Sequence, residues 1–202
     1  MHQEAAIAPW KQRFEAPLIA HTQIAAADQD SGLVVSNQNG VYELYRWQVH
    51  SGGLAQLTSR PGGTLFGLLA PNGRHVFAFE DCRGTERGHH VRMPVKGGPA
   101  LDLTPDLAPY SSCDLALSRS GTRAVFTVAD PEGYHVFGLD DVYKDRVERL
   151  QQLGRFARPV ARPILSSDGE LLVLATASSS HPLYDGLALL NARTGEPARQ
   201  PE

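Results

Sequence analysis

The stretch Leu68 Leu69 Ala70 Pro71 Asn72 Gly73 Arg74 His75 Val76 Phe77 decides the fold, because the chain repeats it. Leu117 Ser118 Arg119 Ser120 Gly121 Thr122 Arg123 Ala124 Val125 Phe126 and Leu165 Ser166 Ser167 Asp168 Gly169 Glu170 Leu171 Leu172 Val173 have the same shape. The turn glycines fall at 73, 121 and 169, two intervals of 48 residues each. Each segment reads as a strand, a tight Asn-Gly, Ser-Gly or Asp-Gly turn, and a second strand rich in Val, Phe and Leu. Upstream, Ile24 to Ala27, a turn over Asp28 Gln29 Asp30 Ser31 Gly32, and Leu33 Val34 Val35 read as a fourth copy.

The units continue alike. Val41 to Trp47 alternates apolar and polar residues, Gly52 Gly53 turns the chain, and Leu54 to Thr58 closes the first unit. His90 to Val95, Gly97 Gly98 and Ala100 to Thr104 echo it in the second. Four strands in 40 to 50 residues is the size of a β-propeller blade. The sequence therefore predicts an all-β fold of about four blades, each of four antiparallel strands and WD40-like or TolB-like, with the last one unfinished. The expected boundaries are an N-terminal extension over 1–18 and blades over 19–62, 63–109, 110–157 and 158–202. The stretch Asp140 to Leu153 is ambiguous, since Tyr143, Val147 and Leu150 also suit a helix.

Composition narrows the function classes. The 202 residues include 42% hydrophobic side chains, enough for a core, and 19 basic against 22 acidic residues, so no positive excess favours nucleic acid or an anionic membrane. Two cysteines, Cys82 and Cys113, make no disulfide framework and hold no Cys-x-x-Cys spacing, which fits a reducing, cytoplasmic address. No secretory leader pattern opens the chain, and Leu171 to Ala177, its longest apolar-rich run, is far short of a membrane span.

Motifs for chemistry are missing from the sequence. A serine hydrolase elbow needs Gly-x-Ser-x-Gly, but the two Gly-x-x-x-Gly pairs are centred on Leu65 and Glu86. There is no Gly-x-Gly for a dinucleotide, no Gly-Lys-Ser/Thr for a phosphate and no His-Glu-x-x-His for zinc. Asp28 and Asp30 before Gly32 miss the glycine position of a calcium loop. His89 and His90 are strand neighbours that point to opposite faces, and Ser178 Ser179 Ser180 His181 reads as an interstrand loop rather than a nucleophile and its base. The expectation is no catalytic residue, no metal and no cofactor. Arg83, Glu86 and Arg87 form a charged loop that either faces a ligand or is simply solvated.

Several stretches together resemble a known family: Trp10 Lys11 Gln12 Arg13 Phe14, Gly40 to Tyr45, Gln56 to Gly67, and Gly88 His89 followed by Val91 Arg92 Met93 Pro94 Val95 Lys96 Gly97 Gly98. They are similar to the propeller of dipeptidyl-peptidase and acylaminoacyl-peptidase-like members of the prolyl oligopeptidase (S9) family of serine peptidases. The resemblance implies a non-catalytic propeller that gates peptide access to an α/β-hydrolase domain not contained in this chain. In some relatives an acidic propeller residue holds the substrate's amino terminus, which implies a substrate-facing role for Glu86 and its neighbours. The alternative is a stand-alone small propeller that binds a protein or a ligand.

Overall fold

The computed structural model describes residues 16–82, 84–112, 114–147, 149–178 and 184–198. These hold fifteen strands and no helix. The first sheet is β1 (Ile19–Ala25), β2 (Asp28–Ser36), β3 (Glu43–Gln48) and β4 (Gly53–Gln56). The second is β5 (Gly67–Leu69), β6 (His75–Asp81), β7 (Gly88–Pro94) and β8 (Leu101–Asp102). The third is β9 (Leu115–Leu117), β10 (Arg123–Asp130), β11 (Gly133–Asp140) and β12 (Leu150–Phe156). The fourth is β13 (Val160–Leu165), β14 (Leu171–Ala177) and β15 (Tyr184–Asn191). Every sheet is an antiparallel meander in chain order, and the architecture is a β-propeller.

The repeated turn is one structure used three times. Gly73, Gly121 and Gly169 have φ of +68°, +72° and +76°, the left-handed region that favours glycine. Their N–H groups donate to Ala70, Ser118 and Ser166 carbonyls at 2.8 to 2.9 Å. The fourth copy differs from expectation. The first hairpin turns at Ala26–Ala27, and Gly32 lies inside β2, opposite Ile24 and Trp47. There a Cβ would come within 2.7 Å of the Trp47 ring, so this glycine serves close packing rather than a turn. The ambiguous stretch after Asp140 becomes a bend followed by strand β12, which pairs with β11 through a bulge at Val136/Phe137. After β15 the chain turns at Ala192–Thr194 and returns as a single bridge, Leu190 to Pro197.

Alternation along each strand gives every sheet two apolar faces, and the cores lie between successive sheets. Leu33, Val35 and Leu44 of the first sheet meet Leu69, Val76, Ala78, Val91 and Met93 of the second. Phe77 of the second meets Leu115, Ala124, Phe126, Val128 and Leu139 of the third. Val125, Val136 and Leu153 of the third meet Val160, Leu172, Leu174 and Leu190 of the fourth. Buried arginines pin these joints. Arg92 reaches from β7 to the Val142 and Lys144 carbonyls, and Arg123 from β10 to Asp140 and the Ala192 carbonyl. Among the described residues no core cluster joins the first sheet to the fourth.

Candidate functional site

In an antiparallel meander, the starts of the first and third strands share one end of the sheet with the ends of the second and fourth. That end of the second, third and fourth sheets surrounds a cleft of about 520 Å³. Its wall combines the chain entering β5 (Gly62–Phe66), the loop after β6 (Asp81, Glu86), the chain entering β9 (Ser111, Ser112, Asp114), the end of β10 (Thr127–Ala129), and the starts of β11 (Tyr134), β13 (Val160) and β15 (Tyr184).

Local hydrogen bonding sets each part. The Asp81 carboxylate organises the β6–β7 loop: Oδ1 accepts from the Gly84 and Thr85 amides at 2.7 and 3.1 Å, and Oδ2 from the Glu86 amide at 3.0 Å. Such a nest of donors uses up this carboxylate and holds Glu86 at φ +59°, a conformation costly for a residue with a Cβ. The loop is closed by Cys82 N–H donating to the Arg87 carbonyl at 2.7 Å. Immediately after it stands Gly88, where a Cβ would lie 1.8 Å from the Glu80 carbonyl oxygen. Only glycine fits there.

The floor is stitched across two sheets. Gly88 exchanges backbone hydrogen bonds with Tyr110, and Ser111 exchanges them with Ala129. Tyr110 is 1% exposed, and its hydroxyl accepts the His90 amide at 3.0 Å while lying 2.9 Å from His90 Nδ1 and 3.1 Å from Thr104 Oγ1. Burial pushes the Tyr110 phenol up to about 12 and the His90 imidazole down to about 3, so the pair is neutral. His89 lies on the other face, 2.8 Å from Asp102.

The cleft is apolar with an acidic rim. Phe66, Phe79, Val128, Tyr134, Val160 and Tyr184 supply the apolar surface, and Asp81, Glu86 and Asp114 the carboxylates. Among the described lining residues there is no Lys, Arg or His. Glu86 has no side-chain partner among the described residues, and among them the Asp114 carboxylate accepts only the Arg162 amide, at 3.2 Å. Two acidic groups with spare acceptor capacity beside aromatic walls suit a ligand that joins a cation to an apolar body.

The residues expected from sequence divide. Glu86 lines the cleft; Arg87 is exposed and does not line it; Arg83 lies outside the described residues. Asp114, Ser111, Phe66, Tyr134 and Tyr184 were not singled out from sequence. One signal reaches two of them: Phe66, Asp114 and Arg162 stand one repeat apart, each near the start of its blade's first strand, and differ in charge. Ser178 donates to Asp185 at 2.6 Å, while Ser179, Ser180 and His181 lie outside the described residues, as does Cys113. Asp28 accepts from the Asp30 amide and from Ser31, an ordinary local turn arrangement. Among the described residues no three His, Cys, Asp or Glu side chains gather as a metal site requires.

No protein-family model matches the chain, and no curated protein sequence is similar to it. Solved structures are. TolB from Acinetobacter baumannii superposes with a TM-score of 0.61 at 18% identity, over 87% of this chain and 42% of that one. An oligogalacturonate lyase in complex with manganese gives 0.66 at 13% identity, over 84% of this chain and 49% of that one. A prolyl endopeptidase gives 0.65 at 13% identity, over 92% of this chain and 29% of that one. At these identities the likeness is one of fold. The chain spans less than half the length of each of these three proteins.

Proposed function

We propose that this propeller is the substrate-admitting part of an S9-type serine peptidase, that it performs no chemistry itself, and that its cleft receives the amino-terminal end of a peptide on the way to an α/β-hydrolase domain. The observation that carries this reading is the cleft: apolar walls for a side chain, and Glu86 and Asp114 with free acceptor capacity for an ammonium group. The resemblance of Gln56 to Gly67 and of Gly88 to Gly98 to peptidase propellers supports it, because the first of these stretches ends on the cleft wall and the second begins beside Glu86.

The test is binding of a short fluorescent peptide with an apolar first residue, in free-amino and N-acetylated forms. The free form binds more tightly, and Glu86→Gln weakens it by about tenfold, roughly 1.4 kcal/mol, while leaving the acetylated form unchanged. Equal binding of the two forms, or indifference to Glu86→Gln and Asp114→Asn together, rejects the reading.

A further inference from the structure

The centre of the first sheet is buried on both faces, although the other sheets lie against only one of them. Leu33, Val35 and Leu44 turn toward the second sheet. Alternation turns Val34 of β2 and Tyr45 of β3 the other way, where they pair across the two strands. No described cluster of apolar residues includes either side chain, yet Val34 is 3% and Tyr45 0% exposed. The Tyr45 hydroxyl, at the far end of the ring, is shut off from water and has no hydrogen-bond partner among the described residues. Side chains stand roughly perpendicular to a sheet, so neighbours in the same sheet shield a ring's root better than its tip. This face therefore has chain lying over it.

The cover is narrow. The next row of the same face is Ile24, Gly32, Trp47 and Leu54, one residue from each strand, and its two outer members, Ile24 and Leu54, are 52% and 41% exposed. A second sheet would bury that row to its edges. Burial at the middle with apolar side chains half in water on either side is the footprint of a single segment about 10 Å across, the width of one helix.

We infer that residues 9–15 lie across the outer face of the first sheet, with Trp10 over Val34 and Tyr45. Residues 1–15 lie outside the described residues, and the chain leaves them directly into β1, an edge strand of this sheet. Tyr45 stands two strands across from Thr22, about 10 Å, and Thr22 three residues along from Ile19, about 10 Å. Five extended residues span about 17 Å, so Phe14 reaches Tyr45 from Ile19, and Trp10 does so with chain to spare. Composition fits the place: Trp10 and Phe14 are four apart after Pro9, which opens a helical turn well, and that spacing puts both rings on one side with Gln12 and Glu15 on the other. The segment before β1 is then part of the fold rather than a tail. The inference is independent of the peptide reading, which is tested at the cleft.

The experiment is proton NMR of the full 1–202 chain, whose two tryptophans are Trp10 and Trp47, with the two indole signals assigned by Trp10→Phe. The expected result is nuclear Overhauser contacts from the Trp10 ring to the Val34 methyls and the Tyr45 ring, and slow exchange of the Trp10 indole proton. Trp10→Ala melts roughly 5 °C lower, while Lys11→Ala stays within about 1 °C of the parent. A Trp10 ring that exchanges freely and makes no long-range contact overturns the inference, as does a Tm that Trp10→Ala leaves unchanged. Contacts to Phe66 or Tyr134 overturn it by putting the segment in the cleft, and contacts seen only between differently labelled copies overturn it by making the cover a second molecule.

Discussion

The second and fourth sheets carry the same hairpin, yet one is sealed and the other is half bare. Phe77 in β6 is fully buried against the third sheet, while its counterpart Val173 lies between Ile164 and Leu189 on a face where Ile164 and Leu187 remain mostly in water. Both faces are apolar because strand alternation makes them so. What differs is the neighbour, and in a repeat architecture stability comes from interfaces between units as much as from the units. The joint between the second and third sheets also has what no outer face has: the Tyr110 stitch, the neutral His90 and the arginine clamp from Arg92.

The sharpest break of this contrast is at the rim of the sealed joint. Gly88→Ala drives a methyl into the Glu80 carbonyl and parts β6 from β7, an expected loss above about 4 kcal/mol in chemical denaturation. Gly97→Ala, at φ +87° with open space around it, costs only about 1 kcal/mol. Next comes Phe77→Ala, expected at about 3 to 5 kcal/mol, against less than about 0.5 for Leu187→Ala. A comparable loss for Leu187→Ala shows that the outer face is covered.

The third effect, below those of Gly88→Ala and Phe77→Ala, is a pH slope. In the unfolded chain His90 takes up a proton below about 6.5, but in the native joint burial delays this to about 3. Between those values the unfolded state holds the extra proton, so the stability present above about pH 6.5 declines as the solution is acidified. The slope from this group approaches about 1.4 kcal/mol per pH unit. Denaturation midpoints at pH 7 and pH 5 measure it, and His90→Leu flattens the difference.

Much of the fold was legible because the features that set it are local. A glycine that must sit at positive φ, between Val- and Leu-rich strands, marks a turn in any sequence, and three of them at one period mark a propeller. Gly32 misled because Asp28 to Ser31 has turn composition, whereas the chain turns over two alanines and spends the glycine under Trp47. Strand β12 was hidden by a charged connection whose apolar spacing also fits a helix. The cleft was mostly illegible for a different reason: Phe66, Asp114, Tyr134 and Tyr184 are far apart in sequence and meet only because the meanders stack their ends together. Glu86 was found because it stands in a charged loop beside a family-like motif, and Arg87, in the same loop, points elsewhere.

The most direct test of the account is amide chemical-shift mapping of the 1–202 chain during titration with an unblocked tripeptide that has an apolar first residue. Saturable shifts are expected, confined to one end of the sheets, at Glu86, Ser111, Ala129 and Tyr134, and needing about tenfold more peptide in the Glu86→Gln variant. Shifts at the opposite end, around Gly52, Gly73 or Gly97, or no saturable shift at all, contradict it.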